Sequence, residues 1–349
     1  MALHLSHEVL RLGLRDPFRI ARSDHDAGHA ITTVIVELRD DRQPGLVGLG
    51  EGYPDRFYGE TAETIAVVLP ILLAAIGEPE LDRAGLEAAA DAMDAAIRHH
   101  GAAKCALDIA LHDLAGKVAG IPVAQLLELT HPIPPTDFTL GLDGPDVVAG
   151  RAARAAHFPA LKIKVGGPAD LATLEAVRAV YRGPIRVDAN TGWQPEDAVL
   201  LLPDLERLGV ELIEQPFPAE RLDQLAWLQE RSSLPIVADE SAVTIRDLRG
   251  LVGAVAGVNV KLAKVGGIAP ARWMLEEARR LGFRTFLGCM EETQVGIAAS
   301  AAVASLADWV DLDGTLLLAD DPFEGLTLDD ACRWQPSGRP GLGVGRRAP

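Results

Sequence analysis

Between residues 161 and 267 the chain repeats a short apolar run that ends in charged or polar residues. The runs read LKIKV, IRVDAN, ELIEQP, PIVADES and VNVKLAKVGG, and the charged residues that end them are 22 to 26 positions apart. This spacing accommodates one strand, one helix and two loops, which is the βαβ unit of a parallel sheet. The pattern therefore predicts a (β/α) barrel with polar groups at the carboxyl ends of its strands.

The same pattern extends to eight expected strands. They span residues 136–141, 160–165, 185–189, 210–214, 235–239, 257–262, 283–288 and 308–312. Residues 1 to about 53 alternate like antiparallel strands, and residues 60–128 have an Ala-rich helical periodicity. We therefore predict an α/β protein with two domains. An α+β capping domain spans 1–130 and is completed by about 314–349, and the barrel spans 131–313.

Composition narrows the classes of partner. The 349 residues carry a formal net charge of −17, which argues against nucleic acid or an anionic membrane as a partner. No apolar run approaches the roughly 18 residues that a membrane span needs, and no apolar leader segment is expected at the start. The three cysteines are widely spaced, which fits a reducing cytoplasm rather than a disulfide framework or a zinc site. A homo-oligomer is left open.

Three acidic residues end neighbouring predicted strands: Asp188, Glu214 and Asp239. Carboxylates placed together repel one another unless a positive charge lies between them. Oxygen donors of this kind suit a hard divalent cation, so we predict one Mg²⁺ per subunit, with Mn²⁺ as the alternative. Any one of the three, taken alone, is also a reasonable N-cap for the helix that follows its strand. The metal interpretation depends on all three occurring in phase.

Lysines flank the acidic residues. Lys162 and Lys164 are two positions apart on one strand and therefore point to the same face. Lys261 ends a later strand, on the face opposite Val260 and Leu262. Lys264 is out of phase with it and is expected in the loop before the Gly266-Gly267 pair, in a secondary role. Strand phase therefore predicts Lys261, rather than Lys264, as the functional lysine of this segment.

These motifs resemble the enolase superfamily, muconate-lactonizing-enzyme branch. The residues that carry the resemblance are KxK, D-A-N, E-Q-P, A-D-E-S, N-V-K-L-x-K-x-G-G and, earlier, KCALDIALHDLAGKVAGIPV. The resemblance covers almost the whole chain. It implies a modified (β/α)₇β TIM-type barrel under an α+β cap. Superfamily sites use a Lys or His base together with Mg²⁺.

Two later motifs resemble the dipeptide epimerases, especially the L-Ala-D/L-Glu epimerase type. They are F-L-G-C-M-E-E-T at 286–293 and D-L-D-G at 311–314. In that group the D-x-D pair holds the free α-ammonium of the substrate, which implies this role for Asp311 and Asp313. Cys289 and Met290 are expected to shape the pocket wall. An Asp-Gly turn without a binding role is the plain alternative for the D-x-D pair.

The resemblance implies 1,1-proton transfer at the α-carbon of a dipeptide's C-terminal residue. Mg²⁺ stabilises the enediolate, and Lys164 and Lys261 act on its two faces, each with a pKa brought toward neutrality. Lys162 stays charged and stabilises the enediolate oxygen. Asn190 and Glu240 are expected to orient the metal ligands and the lysines without binding the metal themselves, although simple polar packing explains these two residues equally well.

The resemblance also implies an arginine that binds the substrate side chain. In the Ala-Glu epimerases an arginine of the first cap loop pairs with the substrate's side-chain carboxylate. The segment PFRIAR offers Arg19 and Arg22, and the position of Arg22 after Ile-Ala fits better. A solvated loop arginine is the alternative.

Other functions are weighed against this one. Other two-lysine enzymes of the branch are o-succinylbenzoate synthase, N-succinylamino acid racemase and muconate cycloisomerase, and the D-x-D pair disfavours them because their substrates have no free ammonium there. A catalytically silent binding protein would have lost a ligand or a lysine, and all are present. The sequence thus favours an isomerase that acts on small dipeptides.

Overall fold

The structure, a computed structural model, describes residues 3–22, 28–129 and 131–348. The chain begins with an antiparallel sheet of three strands in the order β1-β2-β3. The strands are β1 Leu3–Gly13, β2 Ala30–Asp40 and β3 Gly48–Gly52. The middle of β2 is buried on both faces, because Val34 and Val36 pack in one apolar core and Ile35 packs in the other. Within the described residues, none of the helices combines the length and the apolar character needed to cross a membrane.

The helices of the cap are α1 Ala62–Ile76, α2 Arg83–Ala96, α3 Gly101–Ala119 and α4 Val123–Leu126. Helices α1 and α3 pack on this sheet, α2 and α4 pack on these helices, and together with the sheet they form the cap, here residues 3–22 and 28–129. Helix α3 is buried along nearly its whole length, because the cap sheet covers one side of it and the barrel covers the other. A helix that is buried all round needs small and apolar residues on every face, which explains its Ala-rich composition.

The amino end of α3 is held by Glu60 rather than by its own N-cap residue. Both carboxylate oxygens of Glu60 accept from Ala102 N, at 3.2 and 3.0 Å. Burial, and then the charge of Asp55, raises the pKa of Glu60 from its usual 4.5 to about 7 against the effect of the Ala102 hydrogen bonds. The charged form of Glu60 therefore costs folding free energy near neutral pH.

Replacing Glu60 with Gln is expected to make stability less sensitive to pH. Because the folded-state pKa of Glu60 is raised, its contribution is largest at pH values below 4.5 and is lost as pH rises through 7. Between pH 5 and pH 8 the wild type should lose about 2 kcal/mol of unfolding free energy that Glu60→Gln retains. Urea unfolding of both proteins at the two pH values measures the difference. Parallel pH profiles would contradict it.

The barrel is an eight-stranded parallel sheet in the sequential order β4 to β11. Its strands are β4 Phe138–Leu140, β5 Leu161–Lys164, β6 Ile185–Asp188, β7 Val210–Glu214, β8 Ile236–Ala238, β9 Gly257–Lys261, β10 Arg284–Gly288 and β11 Trp309–Asp311. A parallel bridge between Thr136 and Val310 joins the two outer strands and closes the sheet. The predicted capped TIM-type barrel is confirmed. The predicted domain boundary near residue 130 stays a prediction.

Helices connect the barrel strands on the outside. They are α5 Pro145–Arg154, α6 Asp170–Val180, α7 Pro195–Arg207, α8 Leu222–Gln229, α9 Leu248–Leu251, α10 Leu262–Val265, α11 Ile268–Arg280 and α12 Gln294–Ala301. After β11 only the one-turn α13 Gly314–Leu317 follows. The outward strand residues and these helices share one large apolar core. Inside the barrel, Leu212, Val237, Phe286 and Trp309 form a separate small core beneath the polar end.

The C-terminal segment returns to the cap as two short antiparallel strand pairs, one of which encloses the other in sequence. The strands are β12 Phe323–Glu324, β13 Leu326–Leu328, β14 Trp334–Pro336 and β15 Gly345–Arg346. Asp113 of α3 accepts from Leu49 N at 2.7 Å and from Leu342 N at 2.8 Å. One buried carboxylate thereby joins β3 of the cap, helix α3 and the C-terminal segment.

Candidate active site at the barrel mouth

The three acidic residues predicted as metal ligands lie side by side at one end of the barrel. Asp188 and Glu214 are the last residues of β6 and β7 and are register partners, and Asp239 directly follows β8. All three are at most 1% exposed. Burial, and then the charge of Asp188, raises the pKa of Glu214 to about 7. Against the effect of burial, flanking lysines lower the pKa of Asp188 to about 2 and that of Asp239 well below its usual value. The trio therefore depends on positive charge held close to it.

Lys164 and Lys261 lie on opposite flanks of the trio. Lys164 Nζ is 2.7 Å from Asp188 Oδ2, and Lys261 Nζ is 2.9 Å from Asp239 Oδ2. Their strands, β5 and β9, are four positions apart in a closed barrel of eight, so they are diametrically opposite. A flat group bound over the carboxylates would have an amine on each face.

The pKa of Lys261 differs from the expectation. Burial disfavours its charge, but Asp239 and the other acidic residues outweigh this effect and raise the pKa above the usual lysine value. Without another cation on the carboxylates, Lys261 is held charged rather than near neutrality.

Lys162 contacts carboxylates from two opposite sides of the barrel. Its Nζ is 2.9 Å from Glu214 Oε2, 2.9 Å from Asp311 Oδ2 and 3.2 Å from Asp188 Oδ2. The β7 and β11 strands that supply Glu214 and Asp311 are themselves opposite each other. These carboxylates overcome the effect of burial and raise the pKa of Lys162 well above its usual value. Lys162 is thus a fixed positive charge close to the barrel axis.

Lys264 is not in a loop, and that expectation is wrong. It lies in the one-turn helix α10, which begins directly after β9. This turn brings its fully buried Nζ back to Asp239, where it contacts Oδ1 and donates to the Asp239 and Asn259 carbonyls at 2.7 and 2.9 Å. The two oxygens of Asp239 therefore face two different lysines, and Lys264 orients this carboxylate.

The donor set fits a hard divalent cation in its chemistry. Three buried carboxylates end adjacent strands, and Glu214 Oε2 is buried without an aligned hydrogen bond, with Lys162 as its close cation. In the part of the chain that the structure describes, no three acidic, His or Cys side chains already converge at metal-binding distances. Instead, an oxygen of each of the three carboxylates contacts a lysine ammonium group.

Gly288, the last residue of β10, leaves room for Lys261. A Cβ at this position would lie 2.8 Å from Asn259 Oδ1 and 3.1 Å from Lys261 Cε. Both contacts are too short to tolerate without movement. The glycine therefore determines the path of the Lys261 side chain.

Replacing Gly288 with Ala is expected to push Asn259 and the Lys261 side chain by at least a few tenths of an ångström. It should therefore lower kcat, by up to the roughly 10²-fold that a displacement of about 1 Å costs. Gly250→Ala is the matched control, since a Cβ there meets nothing closer than Leu222 Cδ1 at 3.7 Å. Steady-state kinetics and melting temperatures of both variants measure the effect. Equal activity of the two variants would show that Gly288 does not direct Lys261.

The D-x-D pair lies across the cavity from the acidic trio, and Thr139 contacts both members. Asp311 Oδ1 accepts from Thr139 Oγ1 at 3.0 Å, and Asp313 Oδ2 accepts from Thr139 N at 2.6 Å. Although burial opposes its charge, Lys162 keeps the pKa of Asp311 below its usual range. Burial, and then Asp311, raises the pKa of Asp313 well above its usual value. Asp311 already binds one ammonium, that of Lys162, which the sequence did not indicate.

Of the two candidate arginines, Arg22 lines the cavity and Arg19 does not. Arg22 is bound within the protein: its guanidinium pairs with Glu240, donates to Asn190 O at 3.3 Å and lies 4.3 Å from the centre of the Phe57 ring. Glu240 also accepts from Asn190 Nδ2 at 3.3 Å, and Asn190 N donates to Asp188 Oδ1 at 3.0 Å. The predicted supporting residues Asn190 and Glu240 thus connect Arg22 with the acidic trio.

The cavity above these groups has a volume of about 720 Å³. Cys289 and Met290 lie in its wall, together with residues that sequence reasoning missed. The missed residues include Phe18, Tyr53, Phe57, Tyr58, Thr139 and Glu291. Most of them come from the cap, whose loops have no repeated spacing that would identify them in advance. Burial, and then Glu51, raises the pKa of the nearby Glu292 to about 8.

Comparison with known proteins gives two family matches. A family model described as Mandelate racemase / muconate lactonizing enzyme, N-terminal domain, matches residues 8–128, and one described as Enolase C-terminal domain-like matches residues 146–347. A curated L-Ala-D/L-Glu epimerase from Bacteroides thetaiotaomicron is 38% identical over 90% of this chain and 81% of its own length.

Solved structures are similar over almost the full length. The dipeptide epimerase from Enterococcus faecalis, complexed with Mg and L-Leu-L-Tyr, is 33% identical with a TM-score of 0.90, covering 99% of this chain and 100% of that one. The N-succinyl Arg/Lys racemase from Bacillus cereus is 31% identical with a TM-score of 0.90, covering 99% and 96%. Overall shape is therefore shared by proteins named for different substrates.

Proposed function

The chain belongs to the mandelate racemase and muconate lactonizing enzyme family, within the enolase superfamily, and we propose that it is a Mg²⁺-dependent dipeptide epimerase. The reaction inverts the α-carbon of the C-terminal residue of a dipeptide such as L-Ala-L-Glu or L-Ala-D-Glu. Isomerase names among the relatives support the class of reaction. The observation that carries the proposal is the placement of Lys164 and Lys261 on diametrically opposite strands beside the acidic trio.

Asp188, Glu214 and Asp239 would hold the metal ion, with Lys264 and Asn190 fixing the directions of two of these carboxylates. When bound, Mg²⁺ would offset the negative charge that develops on the substrate carboxylate as the α-proton leaves. Lys162, held charged by its neighbours, adds a second fixed positive charge at the same place. The α-carbon becomes planar once its proton has left, so inversion requires a proton donor on the far face.

Lys164 and Lys261 would supply a proton acceptor or donor on each of the two faces. One lysine removes the α-proton, and the other returns a proton from the opposite side; their roles exchange for the opposite epimer. Asp313, aided by Asp311, would hold the free ammonium of the dipeptide. Because Asp311 also binds Lys162, the two aspartates are proposed to divide their charge between the substrate ammonium and this lysine.

The test follows the α-proton of the substrate directly. L-Ala-L-Glu and a panel of dipeptides with acidic, apolar and basic C-terminal residues are incubated with Mg²⁺ in D₂O, and NMR follows loss of the α-proton signal and appearance of the second epimer. N-succinylamino acids are included because the family also contains racemases for them. Exchange with a dipeptide is the expected result. Exchange restricted to N-succinylamino acids, or absent throughout, would refute the proposal.

Arg22 is expected to bind the side chain of the residue that is epimerised. Arg22→Met should raise KM for L-Ala-L-Glu about tenfold and change KM for L-Ala-L-Leu little, because a bidentate contact with a carboxylate is lost. Arg22→Lys is the control that keeps the charge but removes the planar fork. Steady-state kinetics on both dipeptides measure the selectivity. An equal loss on both would instead assign Arg22 to neutralising Glu240, its partner in the structure.

A further inference from the structure

Strand β3 of the cap lies directly on helix α3 and presents its other face to the barrel. A Cβ at Gly50 would lie 1.9 Å from Ala106 O, and one at Gly52 would lie 2.5 Å from Ala102 O. Only glycine permits so close an approach between a strand and a helix backbone. Since successive residues of a strand point to opposite sides, Leu49 and Glu51 point toward the barrel. The position of Glu51 is therefore fixed by the backbone beneath it.

Glu51 is fully buried and binds the loop that follows β10. Its Oε2 accepts from Thr293 Oγ1 at 2.6 Å and from Gly296 N at 2.9 Å, and Thr293 N lies 3.0 and 3.1 Å from its two oxygens. On the cap side, Thr33 Oγ1 donates to Oε1 at 2.8 Å. A carboxylate of the cap thus binds the amino end of helix α12 of the barrel.

A second cap residue contacts the same loop. Tyr53, two positions after Glu51, lies beside Glu291 of this loop, and burial, followed by the charge of Glu291, raises the pKa of its phenol well above the usual value. On the far side the loop is confined by Gly314, where a Cβ would lie 2.3 Å from Met290 O. Residues 289–293 are therefore held between the cap and the start of α13.

Burying a carboxylate is costly, and an apolar side chain would suffice if β3 only had to pack on the barrel. Four directional donors around Glu51 indicate that the contact specifies a geometry. The loop so specified carries Cys289 and Met290, which line the cavity, and it continues from Gly288, which lies against Lys261.

We propose that Glu51 is a positioning residue, which sets the place of the 289–293 pocket wall relative to the lysines from the cap side. The inference rests on the proposed function, because that function makes Cys289 and Met290 part of the substrate pocket. Glu51 does not line the cavity, so it would touch neither substrate nor metal. Its effect is transmitted through Thr293 and the loop backbone.

The experiment compares Glu51→Gln with Thr33→Val. The Gln amide replaces one accepting oxygen with an NH₂ group, which in either orientation would face the Thr293 N–H donor, whereas Thr33→Val removes a hydrogen bond from the same carboxylate on the cap side only. Both variants should lose thermal stability. Glu51→Gln should lower kcat/KM roughly tenfold, mainly through KM, because the pocket wall moves. Thr33→Val should retain wild-type kinetics, and both should retain wild-type Mg²⁺ affinity by calorimetry.

Hydrogen exchange supplies a readout that does not depend on activity. Amides of residues 286–297 should exchange faster in Glu51→Gln and at the wild-type rate in Thr33→Val. If Glu51→Gln does not fold, Tyr53→Phe, which removes one hydroxyl from the same contact, should show a smaller increase over the same residues. Unchanged exchange in this segment, or identical kinetics of Glu51→Gln and Thr33→Val, would overturn the proposal.

Failure of the two proposals is distinguishable. If the wild type acts on no dipeptide, the proposed function fails, and the exchange experiment still decides whether Glu51 positions the loop. If the wild type is active and the loop amides of Glu51→Gln are unaffected, the positioning role fails alone.

Discussion

Lys164→Ala and Lys261→Ala are each expected to abolish epimerisation while retaining isotope exchange of one epimer. Each lysine lies on one flank of the acidic trio, at 2.7 Å from Asp188 and 2.9 Å from Asp239 respectively. With one lysine removed, the other still takes the proton that faces it and returns a proton to the same face. The product is then labelled but not inverted. The rate of inversion should fall at least about 10³-fold.

The measurement uses the two epimers of one dipeptide in separate incubations in D₂O. One variant should exchange only the first epimer and the other variant only the second, so each serves as the control for the other. Chiral chromatography follows inversion, and NMR follows exchange. Inversion at the wild-type rate in either variant would show that the altered lysine is not an acid/base catalyst. Exchange of the same epimer by both variants would contradict the opposite placement of the amines.

Glu214→Gln is expected to remove functional metal binding. Glu214 is the central member of the acidic trio, fully buried between Asp188 and Asp239 along the strand order. Gln has nearly the same shape but no charge, so the site would lose a third of its ligand charge and Lys162 would lose one of its partners. We expect Mg²⁺ affinity to fall at least about 100-fold and kcat/KM to fall at least 10²–10³-fold.

Glu211→Gln is the matched control for Glu214→Gln. Glu211 is on the same strand but pairs with Arg186 at 2.9 Å, below the polar end of the barrel. Its substitution should leave Mg²⁺ binding unchanged. Isothermal titration with Mg²⁺ and activity as a function of Mg²⁺ concentration measure both variants. Tight binding of Mg²⁺ by Glu214→Gln would remove this residue from the ligand set.

The barrel and the residues at the polar ends of its strands were predictable from the sequence, because they depend only on the spacing of the apolar runs and on the alternation of side chains within each run. Each predicted barrel strand overlaps an observed one, and Lys164, Asp188, Glu214, Lys261 and Asp311 are each the last residue of a strand. A two-residue alternation fixes which side chains point inward. The spacing of one strand and one helix fixes which residues reach the same end.

Contacts that cross the barrel or join the cap to it were not predictable in this way. Lys264 reaches Asp239 only because a helical turn begins directly after β9, and no local pattern marks that turn. The pairing of Lys162 with Asp311 depends on two opposite strands, separated by 149 positions. Arg22 and Glu51 find their partners through the docking of the cap, which no periodicity encodes.

The half-turn relation between β5 and β9 has a consequence for metabolism. Under the proposed function each amine removes the proton that faces it, so both epimers of a dipeptide would be substrates. As with any catalyst, the ratio of epimers at equilibrium is a property of the dipeptides in water, and net flux must be imposed by whichever neighbouring reaction consumes one stereoisomer.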